Sequence, residues 1–318
     1  MIIPVAFHSR YLIIKSSVLI TNFKAKATAK TNNYIFALMN LHVLDTGFFK
    51  LDGGAMFGVV PKTLWNKHNP ADEKNLCSWA MRCLLIEDGN QLILIDTGLG
   101  DKQDEKFLGF YDLHGDATLI GSIKKAGFAP EDITDVLLTH LHFDHVGGAV
   151  KYNTGKSALE LTFPNATYWS NESHWQWATN PNPREKASFL KENIFPIQDS
   201  GQLKFIENGA SPFTNVDFIH VDGHTEQMML PVIRYKNQII IYAADLIPSS
   251  FHLPLPWIMS YDVRPLLSMI EKENVLKKAV EENCILLFEH DPVYEAAIVE
   301  QTDKGIKILE RGNLVNFL

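Results

Sequence analysis

Residues 139–145 read Thr-His-Leu-His-Phe-Asp-His and place four potential metal ligands within six positions: His140, His142, Asp144 and His145. They follow an apolar run that predicts a short strand, and they precede a Val-Gly-Gly that predicts the first turn of a helix. Alternate side chains of an extended segment share one side, so His145 points away from the other three. Burying so many imidazoles without a metal would leave polar groups unsatisfied. The stretch therefore predicts a metal site, and the direction of His145 suits a second ion.

The donor types narrow the choice of metal. Neutral imidazole nitrogens and carboxylates suit Zn²⁺, Mn²⁺ or Fe²⁺ better than Ca²⁺ or Mg²⁺. One loop cannot supply all the ligands, and His224, Asp245 and His290 each follow an apolar run that predicts a strand. Strand ends at one edge of a sheet converge on a shared cleft. We therefore expect these residues to join the cluster and to hold two divalent ions, with zinc as the first choice.

Composition limits the class of protein. The chain has 318 residues, 46% of them hydrophobic and 21% charged, which is typical of a globular protein with a sizeable core. A formal net charge of -8 argues against a nucleic-acid partner. The three cysteines form no close pair, which argues against a thiolate zinc site. No apolar run reaches the ~20 residues that span a bilayer, so we expect no membrane partner.

The N-terminal segment differs from the rest of the chain. Residues 1–38 contain five Lys or Arg and no acidic residue. We interpret them as an extension, either without regular structure or resembling a weak export signal, and we expect the compact domain to span 39–318. The expected location is the cytoplasm, and export is the alternative that the basic and apolar extension leaves open.

The remaining pattern predicts two halves in which strands dominate. Two hairpins are predicted, one from Arg82 to Ile95 around Asp-Gly-Asn and one from Met228 to Ala243 around Lys-Asn. Helical spacing runs from Pro265 to Glu282, and residues 171–193 indicate helix around a Pro-Asn-Pro break. Asp52-Gly53-Gly54 predicts a turn. These elements suggest two mixed sheets packed face to face with helices outside.

The motif His-x-His-x-Asp-His, followed by His224, Asp245 and His290, resembles the metallo-β-lactamase superfamily. Leu94-Ile95-Asp96-Thr97-Gly98 is similar to the strand and turn that lie upstream in that superfamily, where the Asp stands behind the metal site. We expect Asp96 to accept an N–H from a ligand histidine and fix its tautomer, and a turn-forming Asp before Thr-Gly is the alternative. Narrower similarity connects residues 51–62, 137–140, 244–248 and 257–262 with the quorum-quenching N-acyl homoserine lactonases and the related methyl parathion hydrolase.

The resemblance implies an α/β fold, the αββα four-layer sandwich of the metallo-β-lactamase type. It implies that His140, His142 and His224 bind one metal, that Asp144, His145 and His290 bind the other, and that Asp245 bridges them. A hydroxide held between the metals would open a lactone ring, with Asp144 and Asp245 as its catalytic carboxylates. The sequence departs from some lactonases at Pro248, where they carry a Tyr that assists the leaving oxygen.

Other functions stay open at this point. The same site could hydrolyse phosphotriesters or other esters, a relative with iron could carry out redox chemistry, and a non-catalytic scaffold is disfavoured by the intact ligand set. The expected partner is a small-molecule ester or lactone, and a homodimer is compatible with the sequence. We expect the substrate pocket to have apolar walls, formed by Met56, Phe57, Phe251, Leu253, Leu255 and Trp257.

Overall fold

A computed structural model describes residues 39–206 and 210–318, and the predicted extension over 1–38 lies outside the described residues. The first part of the chain contains β1 (Asn40–Leu44), β2 (Phe48–Asp52), α1 (Gly53–Phe57), α2 (Lys62–Trp65), β3 (Leu76–Ala80), β4 (Cys83–Asp88), β5 (Gln91–Ile95), α3 (Glu105–Tyr111), α4 (Leu119–Lys125), β6 (Asp135–Leu137), α5 (Phe143–Val146), β7 (Val150–Tyr152), β8 (Leu159–Leu161), β9 (Thr167–Ser170), α6 (Glu172–Thr179), α7 (Lys191–Asp199) and β10 (Leu203–Phe205). The second part contains β11 (Val216–Val221), β12 (Met228–Tyr235), β13 (Gln238–Tyr242), α8 (Pro265–Glu281), β14 (Ile285–Leu287), β15 (Ala296–Thr302) and β16 (Gly305–Gly312).

The strands form two large sheets, one from each part of the chain. The first sheet has the order β1-β4-β5-β6-β9-β10, and the second has the order β11-β12-β13-β14-β15-β16. Two small antiparallel pairs, β2 with β3 and β7 with β8, stand apart from them. Both predicted hairpins are confirmed as the antiparallel pairs β4 with β5 and β12 with β13. The predicted pair of mixed sheets is therefore correct.

The side chains of β4 show how the layers are stacked. Leu84 and Ile86 join the apolar cluster that the second sheet contributes to, whereas Cys83 and Leu85 join the cluster formed with helices α4, α6 and α7. Successive residues of a strand point to opposite faces, so a strand that is buried on both faces is apolar throughout. Helix α8 packs against β15 and β16 of the second sheet. The result is the expected αββα sandwich.

Strand direction brings the candidate ligands to one edge. In the first sheet β5, β6 and β9 run parallel. In the second sheet β13 and β14 run parallel, and β11 shares their direction because two antiparallel pairings connect it to β13. His140 follows the end of β6, and His224, Asp245 and His290 follow the ends of β11, β13 and β14. Carboxyl ends of parallel strands meet at one edge, which is where a ligand site forms in such sheets.

One local expectation was wrong. The sequence Asp52-Gly53-Gly54 was expected to form a turn, but its two glycines begin helix α1. The Asp52 carboxylate caps this helix by accepting a hydrogen bond from Ala55 N at 2.8 Å. The helical region expected across 171–193 around a Pro-Asn-Pro break is confirmed as two helices, because α6 ends at Thr179 and α7 begins at Lys191. Prolines disfavour helical backbone in the residue before them, which leaves 180–190 irregular. None of the described helices is both long enough and apolar enough to cross a membrane.

Candidate metal centre

The His140–His145 loop is held in place by the turn after β5. Asp96, in a left-handed conformation with φ of 55°, accepts hydrogen bonds from Thr139 N at 2.8 Å and Thr139 Oγ1 at 2.6 Å. Thr97 Oγ1 donates to the carbonyl of His145 at 2.8 Å. These bonds anchor both ends of the loop to the same short turn. The side chains of Asp96 and Thr97 therefore hold the loop in position.

Three imidazoles and one carboxylate form a first group. His142 Nδ1 lies 3.1 Å from His140 Nε2 and 3.2 Å from His224 Nε2. Asp245 Oδ2 lies 3.1 Å from the same His224 nitrogen. Each of the four residues offers one donor atom, and these atoms lie within 4.8 Å of one another. Four N and O donors at such spacing could hold one divalent transition metal.

A second group lies on the other side of Asp245. His290 Nε2 is 3.3 Å from His145 Nε2 and 3.7 Å from Asp144 Oδ2. The other oxygen of Asp245, Oδ1, is 3.0 Å from His290 Nε2. The two oxygens of Asp245 therefore face one group each. All seven residues that the sequence singled out lie together in this centre.

The burial of these donors tests whether a cation fits. Each of the seven residues is at most 8% exposed. Asp245 Oδ1 is buried without a well-aligned hydrogen bond, although imidazoles surround it. Burial alone would raise the pKa of Asp245, but His290, His145 and His224 hold it well below its usual range. A buried anionic carboxylate with an unsatisfied oxygen amid imidazole nitrogens is a donor set that suits Zn²⁺ or a similar ion.

The second nitrogen of each histidine also has a defined neighbour, which sets the orientation of the ring. His224 Nδ1 lies 2.9 Å from Asp262 Oδ1, and His290 Nδ1 lies 2.7 Å from the carbonyl of Ala80. The remaining pairs are His140 Nδ1 with Thr139 Oγ1 at 3.1 Å, His145 Nδ1 with Asp96 Oδ2 at 3.1 Å and with Glu289 Oε2 at 3.1 Å, and His142 Nε2 with Glu185 Oε1 at 3.7 Å.

Sequence reasoning anticipated the contact of Asp96 with a ligand histidine and missed the other carboxylates. Asp262 lies in the 257–262 segment that carried the narrower resemblance, so a signal for it existed. Glu289 directly precedes His290, and its burial raises its pKa to about 7. Glu185 lies in the irregular segment between α6 and α7, where no local pattern marks it.

A cavity of about 320 Å³ opens beside the metal-ligand groups. Of the predicted walls, only Met56 lines it. Phe57 is fully buried and stacks on His252, with ring centroids 4.8 Å apart, so it belongs to the core. The other walls, which sequence reasoning missed, include Leu51, Tyr111, Phe143, Arg184, Met259 and Tyr261. The apolar character that the sequence predicted is therefore supplied mostly by other residues, and Arg184 adds a charged group to the lining.

Comparison with known proteins agrees with this geometry. Residues 82–287 match the family described as the metallo-beta-lactamase superfamily. The chain is 24% identical over 254 residues to an N-acyl homoserine lactonase from a Bacillus species, covering 75% of this chain and 88% of that protein.

Two solved structures extend the comparison. A probable metal-dependent hydrolase from Staphylococcus aureus superposes with a TM-score of 0.78 at 30% identity, covering 86% of this chain and 96% of that one. AidC, a dizinc quorum-quenching lactonase in complex with a product, superposes with a TM-score of 0.71 at 24% identity, covering 85% of this chain and 94% of that one. The chain belongs to the metallo-β-lactamase superfamily and is a metal-dependent hydrolase of that superfamily.

Proposed function

We propose that this hydrolase opens lactone rings and that N-acyl homoserine lactones are its substrate class. The observation that carries the proposal is the cavity beside the seven buried donors, because it can seat a small ester against them. The similarity to a protein named N-acyl homoserine lactonase, over three quarters of this chain, supports the choice of substrate.

Two zinc ions are the proposed cofactors. His140, His142 and His224 would hold one, Asp144, His145 and His290 would hold the other, and Asp245 would reach both through its two oxygens. When bound, such a pair polarises a carbonyl group and lowers the pKa of water toward neutrality. We propose zinc because AidC is described as dizinc and because the donors are nitrogen and oxygen.

The protein side chains have separate tasks in ring opening. Asp144 and Asp245 both line the cavity. We propose that Asp144 accepts a hydrogen bond from the attacking hydroxide and so orients it. Pro248, at the position where some lactonases carry Tyr, is not among the residues that line the cavity. Two phenols line it instead, those of Tyr111 and Tyr261. Burial raises the pKa of Tyr111 to about 12, so at neutral pH its hydroxyl is protonated and can donate a hydrogen bond to the departing ring oxygen.

The test is a substrate panel on protein with measured metal content. We expect the protein to hydrolyse N-hexanoyl homoserine lactone much faster than it hydrolyses a chromogenic phosphotriester. The fall in pH measures the rate of lactone hydrolysis. We expect His142→Ala to lose both metal and activity. The matched control is His220→Ala, since His220 lies on β11 and does not line the cavity.

Three outcomes would contradict parts of this proposal. Preferential hydrolysis of the phosphotriester would replace lactones as the substrate class. Iron in place of zinc, together with oxygen-dependent turnover, would indicate the redox alternative. Full metal content and full activity in His142→Ala would contradict the proposed set of metal ligands.

A further inference from the structure

A guanidinium group lies at the wall of the cavity. Arg184 lines the cavity from the irregular segment between α6 and α7, and its side chain is exposed. Its Nη2 donates to the carbonyls of Ser260 and Asp262, the latter at 3.3 Å. These two hydrogen bonds connect the Arg184 side chain to the segment that contains Tyr261. The guanidinium is therefore held at a fixed place beside the cavity.

The positive charge of Arg184 is not neutralised by its neighbours. Within 39–206 and 210–318, no carboxylate lies within ion-pair distance (4.0 Å) of it, and its Nε and Nη1 groups donate to no protein acceptor. Glu185, next to it in sequence, directs its oxygens to other donors: Trp177 Nε1 at 2.8 Å and Thr225 Oγ1 at 2.6 Å. A fixed cation with free N–H donors is suited to bind an anionic oxygen.

Hydroxyl groups line the same cavity. Tyr111 and Tyr261 bring hydroxyls without a protein partner in the part of the chain that the structure describes, and Ser188 and Ser260 also belong to the lining. The few polar groups of a ligand pocket set orientation and specificity. A wall built only for an alkyl chain would not need a fixed cation.

We propose that Arg184 selects substrates whose side chain carries a carboxylate remote from the scissile ester. This inference rests on the proposed lactonase function and names the substrate within that class. The alternative role for Arg184 is structural, because its bonds to Ser260 and Asp262 could serve only to position the cavity wall.

A pair of substrates with acyl chains of equal length separates the two roles. For N-adipoyl homoserine lactone, which ends in a carboxylate, we expect kcat/KM about tenfold above that for N-hexanoyl homoserine lactone, which ends in a methyl group. Arg184→Ala should remove this preference, Arg184→Lys should keep part of it, and high salt should weaken it. The matched control is Lys186→Ala, because Lys186 is an exposed cation on the same segment that does not line this cavity.

Two results would overturn the proposal: a wild-type preference for the hexanoyl substrate, or an equal loss for both substrates in Arg184→Ala, which is what a structural role predicts. Calorimetric binding of the corresponding lactam analogues to the metal-loaded protein provides a readout without turnover. If neither lactone is hydrolysed but the adipoyl lactam still binds about tenfold more tightly to wild type than to Arg184→Ala, the lactonase proposal fails and the role of Arg184 stands. If the affinities are also equal, both fail.

Discussion

The orientation of single imidazole rings is the feature on which the metal centre depends. His224 presents Nε2 to the first group while its Nδ1 lies 2.9 Å from Asp262 Oδ1. Burial lowers the pKa of His224, but Asp245 and Asp262 together raise it to about 10. A carboxylate bonded to the second nitrogen of a ligand histidine fixes the tautomer of the imidazole and makes the other nitrogen a stronger metal ligand. We therefore expect Asp262 to act on a bound metal through His224.

Replacing Asp262 tests that role. We expect Asp262→Ala to lower zinc affinity by about tenfold to a hundredfold, as is usual for such partners of ligand histidines. Asp262→Asn keeps an oxygen acceptor and should lose less. Competition with a chromogenic chelator measures the affinity, and Asp217→Ala, which removes an exposed carboxylate paired with Arg234, is the control. Unchanged affinity in Asp262→Ala would contradict the assignment.

At the scale of elements, helix α1 and the segment before α8 meet so closely that only glycine fits between them. Gly58 ends α1 with φ of 57°, and a Cβ placed there would overlap the carbonyl of Ile258. Ser260 N donates to the carbonyl of Ala55 at 2.8 Å across the same contact. Met259 and Tyr261 of this segment line the cavity. The shape of the cavity thus depends on a backbone contact between two elements far apart in sequence.

Gly58→Ala should therefore alter the pocket as well as the stability. We expect the free energy of unfolding to fall by about 2 kcal/mol, from left-handed strain and overpacking combined. We also expect KM for the lactone to rise while metal content is retained. Gly89→Ala is the matched control, because Gly89 has φ of 64° with nothing within 4 Å of an added Cβ. An equal rise of KM in both variants would refute the role of the contact.

At the scale of the whole molecule, buried neutral histidines outside the metal centre make the fold sensitive to acid. His252 is 1% exposed and its nitrogens contact Ser249 Oγ at 2.7 Å and the carbonyl of Met56 at 2.9 Å. Burial lowers the pKa of His252 to about 3, from an ordinary value of 6.5. Between these values the unfolded chain binds a proton that the folded protein excludes. Stability from His252 is therefore complete above pH 6.5 and is lost as the pH falls toward 3.

We expect this histidine to account for about 2 kcal/mol of the stability that the protein loses between pH 7 and pH 4.5. The measurement is the free energy of unfolding in urea at both pH values for wild type, His252→Phe and His252→Gln. The difference between wild type and either variant should shrink by that amount at pH 4.5. A difference that is independent of pH would show that His252 is not held neutral by the fold.

The described chain also shows which parts of the fold follow from local pattern. The hairpins β4–β5 and β12–β13 and helix α8 were predicted nearly to their ends, because strand alternation, turn residues and helical spacing are all local signals. The conformation of the residues between α6 and α7 was not predicted beyond the break itself, because the prolines there interrupt the helical periodicity on which such a prediction depends. Arg184 and Glu185 lie in that region, so the pocket was the part predicted least well.

The candidate donor set could be read from the amino-acid sequence alone: a motif with His140, His142, Asp144 and His145, and three later donors that each follow an apolar strand. Identity of side chains and their place after a strand are properties of the chain alone. The folded structure was needed to show that Asp245 faces both groups, that Asp262 and Glu289 stand behind candidate ligand histidines, and that Arg184 lines the cavity. These contacts join segments far apart in sequence, and their distances are set by the packing of the two sheets and the loops at their edge.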